Sequence, residues 1–219
     1  TDEAKKWLLS VLNLPVSSRL EEIKIPSYIN LSVIYGMQNN LDSANVLIQK
    51  AIELSVKFNN LLNEANSYNI LANIYSARGL NQKAIDAVKK SMQLRLHIGD
   101  PFYVVSDLAQ LSGLYAETGT YAEGIKKKKK AWEMTGENGL ASKKPIVLDA
   151  LFKNYYGSGN YKKSTETLLL LEKIKDSTNI AISAEKLSEM EAKYELSKKE
   201  ITIKNQEAEI NRKNLIIWF

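Results

Sequence analysis

The sequence has no cysteine, a single histidine (His97) and four prolines among 219 residues. Without cysteine there is no disulfide framework, no thiol nucleophile and no cysteine-ligated metal. A histidine-based triad would depend on His97 alone, and beside a turn its simpler role is that of a helix-end residue near the C-terminal dipole. The sequence contains neither a glycine-rich phosphate loop nor a cluster with metal-ligand spacing. We therefore expect no catalytic residues, no metal and no cofactor.

Long apolar runs are also lacking. The longest candidate, Leu215 to Phe219, follows Arg212 and Lys213 and is far shorter than the roughly 20 residues of a membrane span. Basic residues followed by aromatic ones are typical of a membrane interface, and we interpret this segment as the first turn of a transmembrane helix. An ordinary apolar helix end is the alternative. The net charge of +5 is modest for this length and does not by itself indicate nucleic-acid binding.

The chain does contain a repeat of 40 residues. One register holds a leucine, and the position four residues later holds a tyrosine: Leu31, Leu71, Leu111 and Leu151, then Tyr35, Tyr75, Tyr115 and Tyr155. Next come residues that tolerate positive φ, and then small residues: Asn39, Gly79, Gly119 and Gly159, then Ala44, Ala84, Gly124 and Ser164. A fixed period of this size indicates stacked helical hairpins, because one hairpin cannot bury its apolar stripe alone. With so few prolines and glycines, we expect an all-α fold.

This pattern resembles the tetratricopeptide repeat (TPR) over roughly Pro26 to Asp176. The resemblance implies a superhelical array of antiparallel helix pairs, with a period longer than the common 34 residues. We expect the extra residues to lengthen the second helix of each pair. The resemblance also implies a protein- or peptide-binding groove lined by first helices. The family's groove positions fall here on Asn66, Asn69, Asn73, Ser106, Gln110, Glu117, Asp149, Lys153 and Tyr156. The alternative is that these residues merely form a solvated polar face.

The register divides the chain into three parts. Residues 1–13 match the second helix of a truncated repeat, and we expect Trp7 to pack on the first full unit. Residues 26–176 form four helical hairpins. Residues 177–219 contain neither glycine nor proline, and we expect a capping helix that continues as a stalk and reaches the start of the transmembrane segment.

The stalk has half of a coiled-coil signature. One apolar position recurs every seven residues, while the partner position is polar; the members are Ile180, Leu187, Tyr194, Ile201, Ala208 and Leu215. This spacing is compatible with a homodimer through the C-terminal helix or with a solvated extension.

The tail is similar to the linker helix of bacterial sensors in which tetratricopeptide repeats precede a membrane helix and a histidine kinase or DNA-binding domain. The similarity implies a sensory or interaction region of a membrane-anchored two-component or transcriptional regulator, on the periplasmic side of the cell envelope, with the cytoplasm as the alternative. No kinase or direct nucleic-acid function is expected in this chain. A self-standing scaffold that assembles a complex is the other interpretation.

Five consecutive lysines, Lys126 to Lys130, form a basic patch on the second helix of unit three. Lys128 falls in the register of Ile48, Val88 and Leu168, so we expect it to extend its amine to solvent from a core position. The patch is either a solvated, locally weak helix or a contact for an anion, a nucleic acid or an acidic lipid. No aromatic residues alternate with the lysines, which weakens the nucleic-acid interpretation.

Overall fold

The computed structural model describes residues 2–15, 17, 21–137, 139–176 and 184–217. These residues form ten α-helices and no strand. The helices are α1 (Asp2–Leu12), α2 (Ile25–Met37), α3 (Leu41–Lys57), α4 (Leu61–Ala77), α5 (Asn81–Ile98), α6 (Pro101–Glu117), α7 (Tyr121–Glu137), α8 (Lys144–Gly157), α9 (Tyr161–Asp176) and α10 (Ala184–Ile217). Short 3₁₀ turns at Glu21–Lys24 and Ala141–Lys143 lead into α2 and α8.

The turns inside the hairpins follow the predicted register. The residue four positions after each tyrosine has a positive φ, which is 57° for Asn39, 72° for Gly79, 73° for Gly119 and 74° for Gly159. Between α5 and α6, Gly99 is left-handed with φ of 78°, and the Asp100 side chain accepts a hydrogen bond from the Tyr103 backbone N–H. The predicted helix ends are therefore confirmed. The residues with positive φ follow the last turn of a helix, and the Asp100 cap begins α6.

Successive helices pack antiparallel as α2–α3, α4–α5, α6–α7 and α8–α9, and each pair packs on the next. The leucine register is buried in the first three pairs and half-buried at Leu151. The small-residue register is buried throughout. Each apolar cluster contains residues of adjoining pairs; one, for example, joins Ala84 and Val88 of α5 to Leu111 of α6. The core is thus continuous along the array, as stacking requires.

One pair of substitutions shows how the fourth unit departs from the others. Where the earlier units have Ile34, Ile74 and Leu114, α8 has Asn154, which is fully buried. Its amide nitrogen donates to the Ser112 backbone carbonyl at 2.8 Å. The side chain occupies the space that a Cβ on Gly124 would need, since its oxygen lies 1.9 Å from that position. Position 124 is a glycine where the first two units have Ala44 and Ala84. The missing methyl group leaves the space that the Asn154 side chain occupies.

One expectation about helix packing is wrong. Trp7 is 66% exposed, and its neighbour Leu8 is the buried residue of α1. The second helix is longer than the first in three of the four pairs: α3 has 17 residues against 13 for α2, α5 has 18 against 17 for α4, and α9 has 16 against 14 for α8. In the third pair, α6 and α7 have 17 residues each.

α10 has 34 residues and contacts the repeats through its N-terminal half. Met190 is 2% exposed and packs with Leu148, Leu168 and Leu171. Further along, Leu196, Ile201 and Ile203 are each more than half exposed. Within the described part of the chain, no helix combines the length and apolar character needed to cross a membrane. Ile180 of the predicted heptad and the final Trp218 and Phe219 lie outside the described residues.

Candidate groove between the first helices

The largest concentration of the predicted groove residues lines one cavity of about 450 Å³ between α4, α6 and α8. The three helices contribute polar side chains to its walls and small residues to its floor. α6 packs directly against α8, whereas α4 and α6 are joined mainly through side chains. We call this cavity the amide groove, because Asn69, Asn73 and Gln110 form its α4–α6 wall.

The three amides form a continuous hydrogen-bonded chain. The Asn69 Nδ2 group donates to Gln110 Oε1 at 2.7 Å, and Gln110 Nε2 donates to Asn73 Oδ1 at 2.7 Å. The second proton of Asn69 Nδ2 is donated to Asp107 Oδ1 at 2.9 Å. Asn73, at the end of the chain, is exposed to solvent. The chain therefore connects the groove surface to a carboxylate in the core.

Behind this wall lies a buried ion pair that the sequence reasoning missed. Asp107 is 0% exposed and Arg95 3%, with Arg95 Nε 3.2 Å from Asp107 Oδ2. Ser91 Oγ donates to the same carboxylate oxygen at 2.9 Å, and the Arg95 guanidinium donates to Asn66 Oδ1 at 3.0 Å. Burial raises the pKa of Asp107 to about 6, against the opposing effect of the Arg95 charge and the hydrogen bonds from Ser91 and Asn69.

A signal for this pair is present in the repeat register. Asp107 takes the position of Ser27, Ser67 and Val147, and Arg95 takes that of Ser55 and Thr135. The serines and the threonine of both registers are buried. Opposite charges replacing small buried residues twelve positions apart would have indicated an ion pair, because isolated charges are not tolerated in a core.

Charged side chains form the other walls of the amide groove. Lys153 pairs with Asp149 one helical turn away on α8, at 2.8 Å between Nζ and Oδ2. Glu117 of α6 accepts a hydrogen bond from Ser76 Oγ at 3.4 Å. At the same end as Ser106, Lys143 Nζ donates to the Ser106 hydroxyl at 2.8 Å. The groove thus presents amides on one side and both signs of charge on the other.

Seven of the nine predicted groove residues line this cavity, namely Asn69, Asn73, Ser106, Gln110, Glu117, Asp149 and Lys153. Asn66 is not among the lining residues; it binds the Arg95 guanidinium instead. Tyr156 also lies elsewhere, with its hydroxyl accepting a hydrogen bond from Lys193 of α10 and its ring near Phe152 and Tyr161. Asn66 and Tyr156 therefore make contacts within the fold, with Arg95 and Lys193, and do not line the groove.

A second, more apolar cavity adjoins the first. It has a volume of about 300 Å³ and is lined by Val33, Met37, Ile70 and Ala77 among others. Asn73 lines both cavities, so the two lie on either side of this residue. Met37 is 83% exposed there, an unusual position for a large apolar side chain.

Four lysines of the predicted basic patch, Lys126, Lys127, Lys129 and Lys130, line one open cavity along α7, whereas Lys128 is not among its lining residues. Lys126, Lys129 and Lys130 are exposed and Lys127 is half-buried. Lys128 is 0% exposed, and its Nζ makes no hydrogen bond to any described residue. The expectation that it reaches solvent is wrong, because the side chain is buried along its whole length, including Nζ. Burial lowers the pKa of Lys128 to about 6.

Among the described residues, no group of three or more histidine, aspartate and glutamate side chains is placed to hold a metal ion. His97 lies in the last turn of α5 and is exposed.

No protein-family model and no curated protein matches the sequence. Solved structures do. A Signal Transduction ATPase with Numerous Domains protein with a tetratricopeptide repeat sensor, from Pyrococcus horikoshii, superposes with a TM-score of 0.72 at 21% identity over 88% of this chain. Aspartyl phosphate phosphatase F from Bacillus subtilis gives a TM-score of 0.72 at 14% identity over 92%. The kinesin light chain TPR-like repeats of Podosopora anserina give 0.62 at 14% over 88%.

The fold is therefore a TPR-like helical repeat. The chain spans 29% of the Pyrococcus protein, 52% of the Bacillus protein and 97% of the Podosopora repeats. At these identities the likeness establishes the fold, and the function has to be argued from the groove.

Proposed function

We propose that this chain is a non-catalytic domain that binds an extended protein segment or peptide in the amide groove. The observation that supports this most is the convergence of seven predicted groove residues from three first helices on one open cavity. Amide side chains both donate and accept hydrogen bonds, so they match the alternating groups of a peptide backbone.

The adjoining apolar cavity suggests the composition of the ligand. An aliphatic or aromatic side chain would be buried against Val33, Met37 and Ile70, while the backbone on either side runs over Asn73. Toward α8 the ligand meets Asp149 and Lys153, which form an ion pair with each other and so favour neither sign of charge strongly. We expect a ligand with one bulky apolar residue followed by polar residues.

A random-sequence library of 12-residue peptides displayed on phage tests the proposal. Enriched peptides should bind the wild-type chain and lose about 3- to 10-fold in affinity for Asn73→Ala, since one neutral hydrogen bond contributes roughly 0.5–1.5 kcal/mol. Affinity is measured by fluorescence polarisation of the synthetic peptide.

Gln93→Ala is the matched control. Gln93 is an exposed amide on α5, away from the groove, and its removal should leave the affinity unchanged. Equal losses in both variants, or a library that yields no binder, would count against the groove as a peptide site.

We further propose that the domain is the sensory or interaction region of a membrane-tethered bacterial signalling regulator, a histidine kinase or a transcriptional regulator, on the periplasmic side of the envelope. Supporting this are the long α10 and the basic-then-aromatic sequence from Arg212 to Phe219. One of the similar folds is described as a tetratricopeptide repeat sensor in a signal-transduction ATPase. A reading frame that continues beyond Phe219 into an apolar run of about 20 residues supports the proposal; a stop codon there favours a self-standing scaffold.

The exposed apolar residues of α10 favour one partner in particular, a second copy of this chain. In the heptad predicted from the sequence, Ile201 is 58% exposed, whereas Tyr194 is half-buried. A second set that was not predicted has the same spacing of seven residues: Leu196 and Ile203 are 59% and 53% exposed. The same spacing continues in the sequence to Ile210 and Ile217. Apolar residues at this interval form one seam of a coiled coil. We propose that α10 dimerises through it.

A further inference from the structure

We propose that Asp107, although it does not line the amide groove, fixes which hydrogen-bonding groups the groove offers to its ligand, and that its protonation reverses them. This inference rests on the proposed peptide-binding function and adds a positioning residue and a regulatory input to it.

An ionised carboxylate can only accept hydrogen bonds. Asp107 Oδ1 therefore requires the Nδ2 group of Asn69 to face it, at the observed 2.9 Å. With Nδ2 in that direction, Asn69 also donates to Gln110, so Gln110 has to present its oxygen to Asn69 and its nitrogen to Asn73. Each amide orientation follows from the previous one, and the first is set by the carboxylate.

The consequence appears at the groove surface. The chain leaves Asn69 Oδ1 as an acceptor and Asn73 Nδ2 as a donor, and neither atom has a hydrogen-bond partner within the described structure. The ligand is then expected to place a carbonyl or carboxylate oxygen against Asn73 and an N–H group against Asn69. The pattern selects the register of a peptide backbone, since its carbonyl and N–H groups alternate.

Protonation of Asp107 would place the new hydrogen on Oδ1. Oδ2 already receives Ser91 Oγ at 2.9 Å and faces Arg95 Nε at 3.2 Å, so it has no room for another hydrogen. A protonated Oδ1 donates rather than accepts, and the Asn69 amide turns to present its oxygen. Gln110 and Asn73 then turn as well, so that the groove offers an acceptor at Asn73 and a donor at Asn69.

Burial is the largest influence on the pKa of Asp107, which it raises to about 6, and the surrounding charges act on it in both directions. Arg95 of α5 faces the carboxylate and favours its ionised form, while Asp100, at the start of α6, opposes it. Lys143 interacts electrostatically with the Arg95 guanidinium and donates a hydrogen bond to Ser106. α4 contributes the neutral amides of Asn66 and Asn69. The charged side chains of α8, Asp149 and Lys153, line the cavity and are paired with each other one helical turn apart. The buried amine of α7, Lys128, interacts electrostatically with Asp149.

The test needs no ligand. The side-chain NH₂ signals of Asn69, Asn73 and Gln110 are assigned in ¹H–¹⁵N spectra by single alanine substitutions and followed from pH 5 to pH 7.5. In the wild type, all three should move with one common midpoint near 6, while the signal of Gln49, an exposed amide on α3, does not move. In Asp107→Asn they should lose this titration. Three amides that stay fixed in the wild type, or that move equally in Asp107→Asn, overturn the inference.

A second variant covers the case in which Asp107→Asn does not fold. Asn69→Ala leaves the Arg95–Asp107 pair intact and interrupts the chain at its first amide. The Gln110 and Asn73 signals should then stop responding to pH, whereas persistence of their response would show that Asp107 does not act through Asn69.

The binding assay separates this inference from the proposed function. Library peptides without histidine, aspartate or glutamate, selected at pH 7.5, should bind about 10-fold more weakly at pH 5.5. Equal binding at both pH values would refute the reversal while the groove remains a peptide site. If no peptide binds at any pH, the proposed function fails and the amide titration alone decides the role of Asp107.

Discussion

Lys128 is the residue at which the repeat register and the chemistry of the side chain conflict most. The corresponding positions carry Ile48, Val88 and Leu168, and the lysine is as deeply buried as they are. A buried amine without a hydrogen bond destabilises the fold, since it loses its hydration whether charged or neutral. We expect Lys128→Leu to stabilise the chain. A gain of about 2 kcal/mol would raise Tm by roughly 4–8 °C, measured by differential scanning calorimetry.

The pH dependence identifies the cause of that gain. Because the pKa of Lys128 is about 6 when folded and 10.5 otherwise, the unfolded chain binds the extra proton between these values. Wild-type stability should therefore rise with pH across this window. The Tm advantage of Lys128→Leu should narrow from pH 7 to pH 9.5. Lys126→Leu, at an exposed position of the same helix, is the control; a similar gain there would mean that burial of Lys128 is not the cause.

Other residues show what could and could not be predicted from the sequence. The positive φ of Asn39 and Gly79 was predictable, because the register places both at a helix end and few residues adopt this conformation. The environment of Asn154 was not. Its position predicts an apolar side chain, and its accommodation depends on Gly124, thirty residues earlier on another helix. The register gives the position of a residue in the array. It does not show that a large side chain on one helix, such as Asn154, is accommodated by a small residue on another, such as Gly124.

At the scale of elements, the helix pairs were predictable because each has its own stripe, turn and cap. The groove was predictable to the extent that it depends on helix faces, which is why seven of the nine residues line one cavity. Asn66 and Tyr156 differ because the groups they bind, Arg95 and Lys193, lie on other elements. The repeat register of one helix does not show which side chains of other helices, such as Arg95 and Lys193, its residues contact.

The exposed apolar seam of α10 can be tested by substitution. If its exposed seam holds two copies together, Leu196→Glu combined with Ile203→Glu should convert a dimer to a monomer in sedimentation velocity. The far-ultraviolet circular dichroism should not change, because both side chains are already more than half exposed. Thr202→Glu, exposed on the same helix, should leave the assembly intact. A wild-type chain that is monomeric at high micromolar concentration would contradict the seam.

At the scale of the whole molecule, the array is held together by contacts between neighbours, so its cooperativity is limited by its weakest junction. The junction between the second and third helix pairs is distinctive. There α4 and α6 are connected mainly by side chains, and the ion pair of Arg95 with Asp107 lies beside this connection. Removing one member leaves a buried charge without compensation, at a cost of roughly 3–5 kcal/mol.

We therefore expect Asp107→Leu to uncouple the two halves of the array. In the wild type, hydrogen exchange measured by mass spectrometry should show α4–α5 and α6–α7 losing protection at one urea concentration; in Asp107→Leu they should separate. Arg95→Met combined with Asp107→Leu should restore a single transition, because apolar side chains of similar size fill the junction without a stranded charge. If the double variant unfolds in two steps like the single one, the amides of the groove wall, rather than the ion pair, couple the halves.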